Sequence, residues 1–203
     1  LSPGAAGDVL TLVLDNGAGP RTVRLVAATY ALTPVPVNAV LDLPNGRRAG
    51  YLVLKDFITQ AETPMRAAFE RFRAAGATEL ILDLRYNGGG RIATAAQLAA
   101  LVAGVSNNGK VFTQVRYNAQ HMGSNRSYDF SGATSPGYSR VVVLTGPRTC
   151  SASELVVNGL KPYVDVVTVG DDTCGKPFGF SPVESCSTTF SVVNFESYNS
   201  LGQ

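Results

Sequence analysis

The sequence predicts an α/β fold with a mostly parallel β-sheet flanked by helices. Short apolar strand patterns alternate with helical patterns from Gly50 onward. The run VVVLT at 141–145 is apolar throughout, as a strand covered on both sides would be. With 203 residues, 45% hydrophobic and 16% charged, the chain can bury a sizeable core.

The first elements lie outside that alternation. VLTLVL at 9–14 and RTVRLVA at 21–27 are β-rich runs joined by the turn-forming DNGAGP, the pattern of a hairpin. ALTPVPVNAVLDLPNG carries Pro34, Pro36 and Pro44 and reads as an extended connection, not a helix or a central strand. The chain therefore divides into a β module at 1–30, a linker at 31–49 and an α/β domain at 50–203. Strand YLVL at 51–54 opens that domain. A helix follows, with Thr63 as N-cap, Pro64 at its first position and an apolar stripe of Met65, Phe69 and Phe72, ending at Gly76. Strand ELILDL at 79–84 runs into glycines 88–90, then into the helix IATAAQLAALVA closed by Gly104. Strand KVFTQV at 110–115, a polar loop or flap at 117–139, the strand at 141–145, a helix from Ser151, and strands at 165–169 and 188–195 complete the pattern.

Charge and cysteine content narrow the function. The formal net charge of +2 comes from scattered residues with no block of like charge, so nucleic acid is not an expected partner. No apolar run approaches the roughly 20 residues that span a bilayer, and LSPGAAGDVL lacks the basic start and apolar stretch of a signal peptide; a leader would lie upstream. The three cysteines, at 150, 174 and 186, are too sparse for a zinc site, and neither a metal nor another cofactor is expected. Cys174 and Cys186 flank a loop holding Gly175, Gly179 and Pro182, so a disulfide across it is reasonable and would imply an oxidising compartment; buried thiols are the alternative.

Three segments could carry chemistry. CSASEL at 150–155 follows the buried strand and opens a helix, which puts Ser151 where unpaired backbone N–H groups favour an oxyanion. Ser151 and Glu154 also spell S-x-x-E, a capping box, the commoner use of that pattern. A serine nucleophile needs a base, and the single histidine, His121, sits in the polar loop with no flanking motif. Lysine can serve where burial brings its amine down from about 10.4 toward neutrality. Lys176 lies between Gly175 and Pro177, near Phe178 and Phe180 and without an adjacent acid; a solvated loop lysine is the bland alternative. Third, DLRYNGGGR at 83–91 runs from strand end to helix through three glycines whose bare N–H groups could bind an anion, although the spacing is not that of a phosphate loop and a tight structural turn would look the same.

GYLVLKDF, LDLRYNGGG, CSASEL and TCGK, in that order over roughly 50–195, resemble the carboxyl-terminal processing peptidases, or tail-specific proteases. The resemblance implies a ClpP/crotonase-like catalytic domain with Ser151 as nucleophile and Lys176 as base, 25 residues apart as is usual in that family. It also implies an oxyanion hole from Ala152 and one of Gly89 and Gly90, with Glu154 and Thr173 in support. The hairpin is similar to the last strands of the PDZ module that precedes such domains. Polypeptides with accessible C-termini are the implied substrates, and the periplasm, cell envelope or exterior is the implied location. Where many members place a glutamine four residues after the lysine, this chain has Phe180, so Thr173 is the expected orienting group. The chain also stops at Gln203, short of the end expected of the family. Two rival functions stand beside the peptidase: a catalytically silent PDZ-type peptide-binding scaffold, and an acyl-CoA enzyme using a glycine oxyanion site without a serine nucleophile.

Overall fold

The computed structural model describes residues 4–44 and 46–203; residues 1–3 and Asn45, which fall in the expected β module and linker, lie outside the described residues. The chain forms two compact units, 1–32 and 33–203. In the first, β1 (Val9–Asp15) and β2 (Pro20–Val26) make an antiparallel hairpin that closes where Asp15 faces Pro20. Its apolar residues Val9, Leu10, Val13, Leu14, Leu25 and Val26 are all exposed, so two strands supply no core of their own.

The second unit is built on a five-stranded sheet in the order β3-β4-β5-β8-β9: β3 (Val37–Asp42), β4 (Arg48–Val53), β5 (Glu79–Asp83), β8 (Arg140–Thr145) and β9 (Asp165–Gly170). Four of these strands run parallel, and β3 joins the edge antiparallel to β4. The segment expected to be a linker at 31–49 thus supplies an edge strand and the start of β4, and the boundary between units falls after Leu32. Pro34, Pro36 and Pro44 all lie outside β3, where a missing N–H leaves the ladder intact.

Outside this sheet the named strands pair antiparallel. A second sheet, in the order β10-β13-β6-β7, is antiparallel throughout and contains β6 (Val111–Tyr117), β7 (Arg126–Asp129), β10 (Phe178–Phe180) and β13 (Val193–Tyr198). Strands β11 (Val183–Ser185) and β12 (Thr188–Phe190) form a small hairpin. The run 188–195 is therefore two strands, and the polar stretch 117–139 holds the edge strand β7 as well as loop.

Three helices cover the main sheet. Helix α1 spans Glu62–Ala74, α2 Ile92–Ala103 and α3 Ala152–Leu160. A 3-10 turn at Thr59–Ala61 runs into α1, so Ala61 is its N-cap and Thr63 and Pro64 sit inside the first turn, where a missing N–H is tolerated. Met65, Phe69 and Phe72 are buried, as the stripe requires. Leu52, Leu82 and Val143 lie side by side across β4, β5 and β8 and are fully buried, whereas their chain neighbours Tyr51, Val53, Ile81 and Val142 are partly exposed. One face of the sheet thus joins the core with Phe72, Leu98, Val156 and Leu160.

On the other face Tyr51 donates to Asp83 at 2.8 Å, and Arg85 donates to both Asp83 oxygens at 2.9 and 2.6 Å. The guanidinium bonds hold the Asp83 carboxyl below its ordinary value, and burial pushes the Tyr51 hydroxyl up. This ion pair anchors the D-L-R part of the motif at the point where β5 leaves the sheet.

Helix α3 carries a glycine, Gly159, where a Cβ would stand 2.4 Å from the Phe112 ring and 2.9 Å from its carbonyl oxygen. Alanine is worth about 1 kcal/mol more than glycine in an open helix. Here Gly159→Ala is expected to destabilise by about 1–3 kcal/mol through overpacking, measured by urea unfolding; a gain in stability would show that α3 does not press on β6.

Candidate active site

The strand order sets the site. Strands β5, β8 and β9 are adjacent and parallel, so the segments leaving their carboxyl ends emerge side by side. These are the glycine segment 88–90 after β5, the turn to Ser151 after β8, and the segment 171–177 after β9.

The glycine segment is fixed by Asn87, which is fully buried. Its side-chain N–H donates to the Leu54 carbonyl at 3.0 Å and its side-chain oxygen accepts from Gly89 N–H at 2.8 Å. Its own carbonyl accepts from Cys150 N–H at 3.1 Å and from the Ser153 hydroxyl at 3.0 Å, tying the segment to the start of α3. Gly89 has φ +108°, and a Cβ there would fall 2.8 Å from Ser151 Cβ and 2.9 Å from Ala152 N. Only glycine lets the backbone come this close to Ser151. The N–H of Gly89 is already engaged, whereas among the described residues the N–H groups of Gly90 and Ala152 have no acceptor. Of the two glycines, Gly90 is the one that also lines the cleft.

Ser151 is the N-cap of α3 and has φ 55° and ψ −116°, a backbone conformation that L-residues adopt at a cost of about 1–3 kcal/mol. Glu154 supplies its half of the capping box, accepting from Ser151 N–H at 2.8 Å. The same carboxylate reaches the segment after β9. It accepts from the Thr173 hydroxyl at 2.7 Å, Gly175 N–H at 2.7 Å and Lys176 N–H at 2.9 Å. One side chain therefore binds the backbone of both Ser151 and Lys176.

A disulfide joins the same two segments. It links Cys150 to Cys174, with Cα atoms 5.2 Å apart, and Cys186 is a free, exposed cysteine. The expected Cys174–Cys186 pairing is corrected: Cys186 turns at the tip between β11 and β12, while β8 and β9 bring Cys150 and Cys174 together. Sγ of Cys150, Sγ of Cys174 and a Glu154 oxygen lie within 4.8 Å of one another, but with the sulfurs bonded and the carboxylate taken by four donors the group is a cross-link and not a cation site.

Ser151, Ala152, Gly90 and Lys176 line one cleft of about 610 Å³. The Lys176 amine stands 5.0 Å from the centroid of the Phe180 ring. Thr173, expected to orient Lys176, instead spends its hydroxyl on Glu154, and Phe180 covers the amine. His121 is exposed and is not among the residues that line the cleft. Asn87 and the Cys150 end of the disulfide have no assigned role in the sequence; the N-x-G-G spacing is the one available signal for Asn87, since an asparagine two residues before a glycine can close a turn on its N–H.

Removing the Glu154 charge leaves four donors competing for a weaker acceptor. Glu154→Gln is expected to cost about 1–3 kcal/mol and to speed amide hydrogen exchange at Gly175 and Lys176 at least tenfold, with exchange in β5 unchanged; unaltered exchange at both amides would contradict the clamp.

Comparison with known proteins gives the family of the chain. Residues 48–199 match the sequence pattern of Peptidase family S41. The chain is 31% identical over 156 residues to a carboxyl-terminal-processing protease of Picosynechococcus, covering 77% of this chain and 35% of that protein. It is 28% identical over 180 residues to the chloroplastic carboxyl-terminal-processing peptidase 2 of Arabidopsis thaliana, covering 85% of this chain and 33% of the relative. Its fold is similar to that of a Bacteroides fragilis chain assigned to the S41 proteases, with TM-score 0.79, 26% identity and 95% of this chain against 55% of the other. A photosystem II D1 C-terminal processing protease superposes with TM-score 0.71 and 25% identity, covering 98% of this chain and 53% of that one. The chain thus spans about a third of the length of these curated relatives and about half of these solved chains. With an α/β core and a family pattern running from β4 to β13, this chain belongs to Peptidase family S41.

Proposed function

We propose that this chain carries the catalytic machinery of a serine endopeptidase that cuts polypeptides near their C-termini, with Ser151 as nucleophile and Lys176 as general base. The observation that carries the reading is the shared cleft of Ser151 and Lys176, whose two backbones meet on the Glu154 carboxylate. The names of the curated relatives support the C-terminal preference.

In this mechanism the neutral Lys176 amine takes the Ser151 proton as Oγ attacks the scissile carbonyl. The free N–H groups of Gly90 and Ala152 receive the developing oxyanion, at the positive end of α3. Lys176 returns the proton to the leaving amine, and water releases the acyl group from Ser151 by the same base. The strained turn at Ser151 resembles the sharp strand-to-helix turn that exposes a nucleophile in other hydrolases. Glu154 and the Cys150–Cys174 disulfide hold nucleophile and base in register, and Thr173 supports Glu154. No cofactor takes part.

The hairpin β1–β2 is read as the end of a PDZ-like module, with the catalytic domain following it. The disulfide supports a location in an oxidising, extracytoplasmic compartment, since such bonds rarely persist in the cytosol.

The test is intact-mass labelling with a small fluorophosphonate across a pH series. Labelling is expected on Ser151 alone, absent in Ser151→Ala, rising with pH as activation by a general base requires, and slowed about 10²- to 10⁴-fold in Lys176→Ala. A Lys176→Ala protein that labels at the native rate would remove the dyad.

A further inference from the structure

The wall of the cleft opposite α3 is one face of the antiparallel sheet. Val115 and Tyr117 of β6, Arg126 and Tyr128 of β7, and Phe195 and Ser197 of β13 all line the cleft, and each pair is two residues apart in its strand. The register places Ser197, Val115 and Arg126 in a row across three strands. This wall is mostly apolar and aromatic, with Ser197 in its middle row and one cation, Arg126, at its edge.

The charge of the cleft is one-sided. Arg91 and Arg126 line it beside the Lys176 amine, and among the described residues no aspartate or glutamate does. Arg91 donates to the Thr59 hydroxyl, and the Lys176 amine lies over Phe180. Among the described residues Arg126 has neither an ion pair nor a side-chain hydrogen bond, although other exposed arginines, Arg47, Arg48 and Arg140, are paired with acids. An arginine fork in an aromatic wall, with no internal carboxylate to satisfy it, is complementary to a carboxylate brought in from outside.

Resting on the proposed peptidase reading, we propose that Arg126 is a specificity-determining residue that receives the terminal carboxylate of a polypeptide bound in the cleft. The bound group is a planar anion held by a planar guanidinium, with the adjacent side chains of the polypeptide packed on Val115, Tyr117, Tyr128 and Phe195. A peptide ending within the cleft satisfies the free cation, and a chain passing through leaves it bare. The catalytic domain would then read the end of its substrate directly, without help from a separate peptide-binding module.

The experiment uses matched apolar peptides ending in a free acid, in an amide, or in an amide whose last residue is glutamate. Binding is measured calorimetrically to Ser151→Ala and to the Ser151→Ala, Arg126→Gln double variant, and kcat/KM is measured on the native chain and on Arg126→Gln. The free acid is expected to bind and react roughly tenfold better than the amide, the size of a hydrogen bond to a charged group, and Arg126→Gln is expected to erase that difference. Equal binding of acid and amide, or a preference that survives Arg126→Gln, would overturn the proposal, as would a glutamate amide bound as well as the free acid. An acid preference in binding without turnover would keep the Arg126 assignment and remove the catalytic reading instead.

Discussion

The carboxylate of Glu154 is the interaction on which the site depends. It accepts from Ser151 N–H on one side and from Thr173, Gly175 and Lys176 on the other, so two loops that leave different strands close on one group. A carboxylate facing three N–H groups and a hydroxyl is well satisfied, and its charge strengthens each bond. The Cys150–Cys174 bond spans the same gap and also restricts the unfolded chain. Both links join residues flanking the proposed nucleophile to residues flanking the proposed base.

The rest of the fold makes that closure possible. The order β5-β8-β9 puts three carboxyl-terminal segments next to one another, and Asn87 fastens the first of them to Cys150 and Ser153. Glycine at 89 is required because the segment passes within contact distance of Ser151, and the price of that proximity is a backbone with φ +108°. The strain at Ser151, the buried Asn87 and the crowded Gly89 all lie within one turn of the α3 N-terminus. Strain held by surrounding hydrogen bonds is what a preorganised site requires.

Much of this was legible in the sequence because it rests on local pattern. The span of α2 follows from IATAAQLAALVA and its closing glycine, and the stripe of Met65, Phe69 and Phe72 marks the buried side of α1. Ser151, Lys176 and the glycine segment stand as candidates in the sequence because each sits in a short motif of neighbouring residues. What stayed hidden was set by tertiary adjacency. No spacing says that β8 and β9 are neighbours, so the partner of Cys174 was sought across its own loop and found in Cys150. Thr173, expected to orient Lys176, bonds Glu154 instead because the fold brings the carboxylate within 2.7 Å. Strand β7 is four residues of mostly polar sequence, too short for alternation to reveal, yet it carries Arg126 and Tyr128 to the cleft. The Pro-rich segment before Gly50 hid β3 because its prolines flank the strand and leave the ladder untouched.

The claim that the proposed nucleophile and base are held in register by two redundant links is tested most directly by the rate at which Ser151 is acylated in the native chain, after disulfide reduction, in Glu154→Gln, and in Glu154→Gln after reduction. Each single loss is expected to slow acylation modestly, and the two together to slow it by far more than the product of the separate effects, as links sharing one task do. An acylation rate unchanged when both are gone would show that neither link positions Ser151 and Lys176.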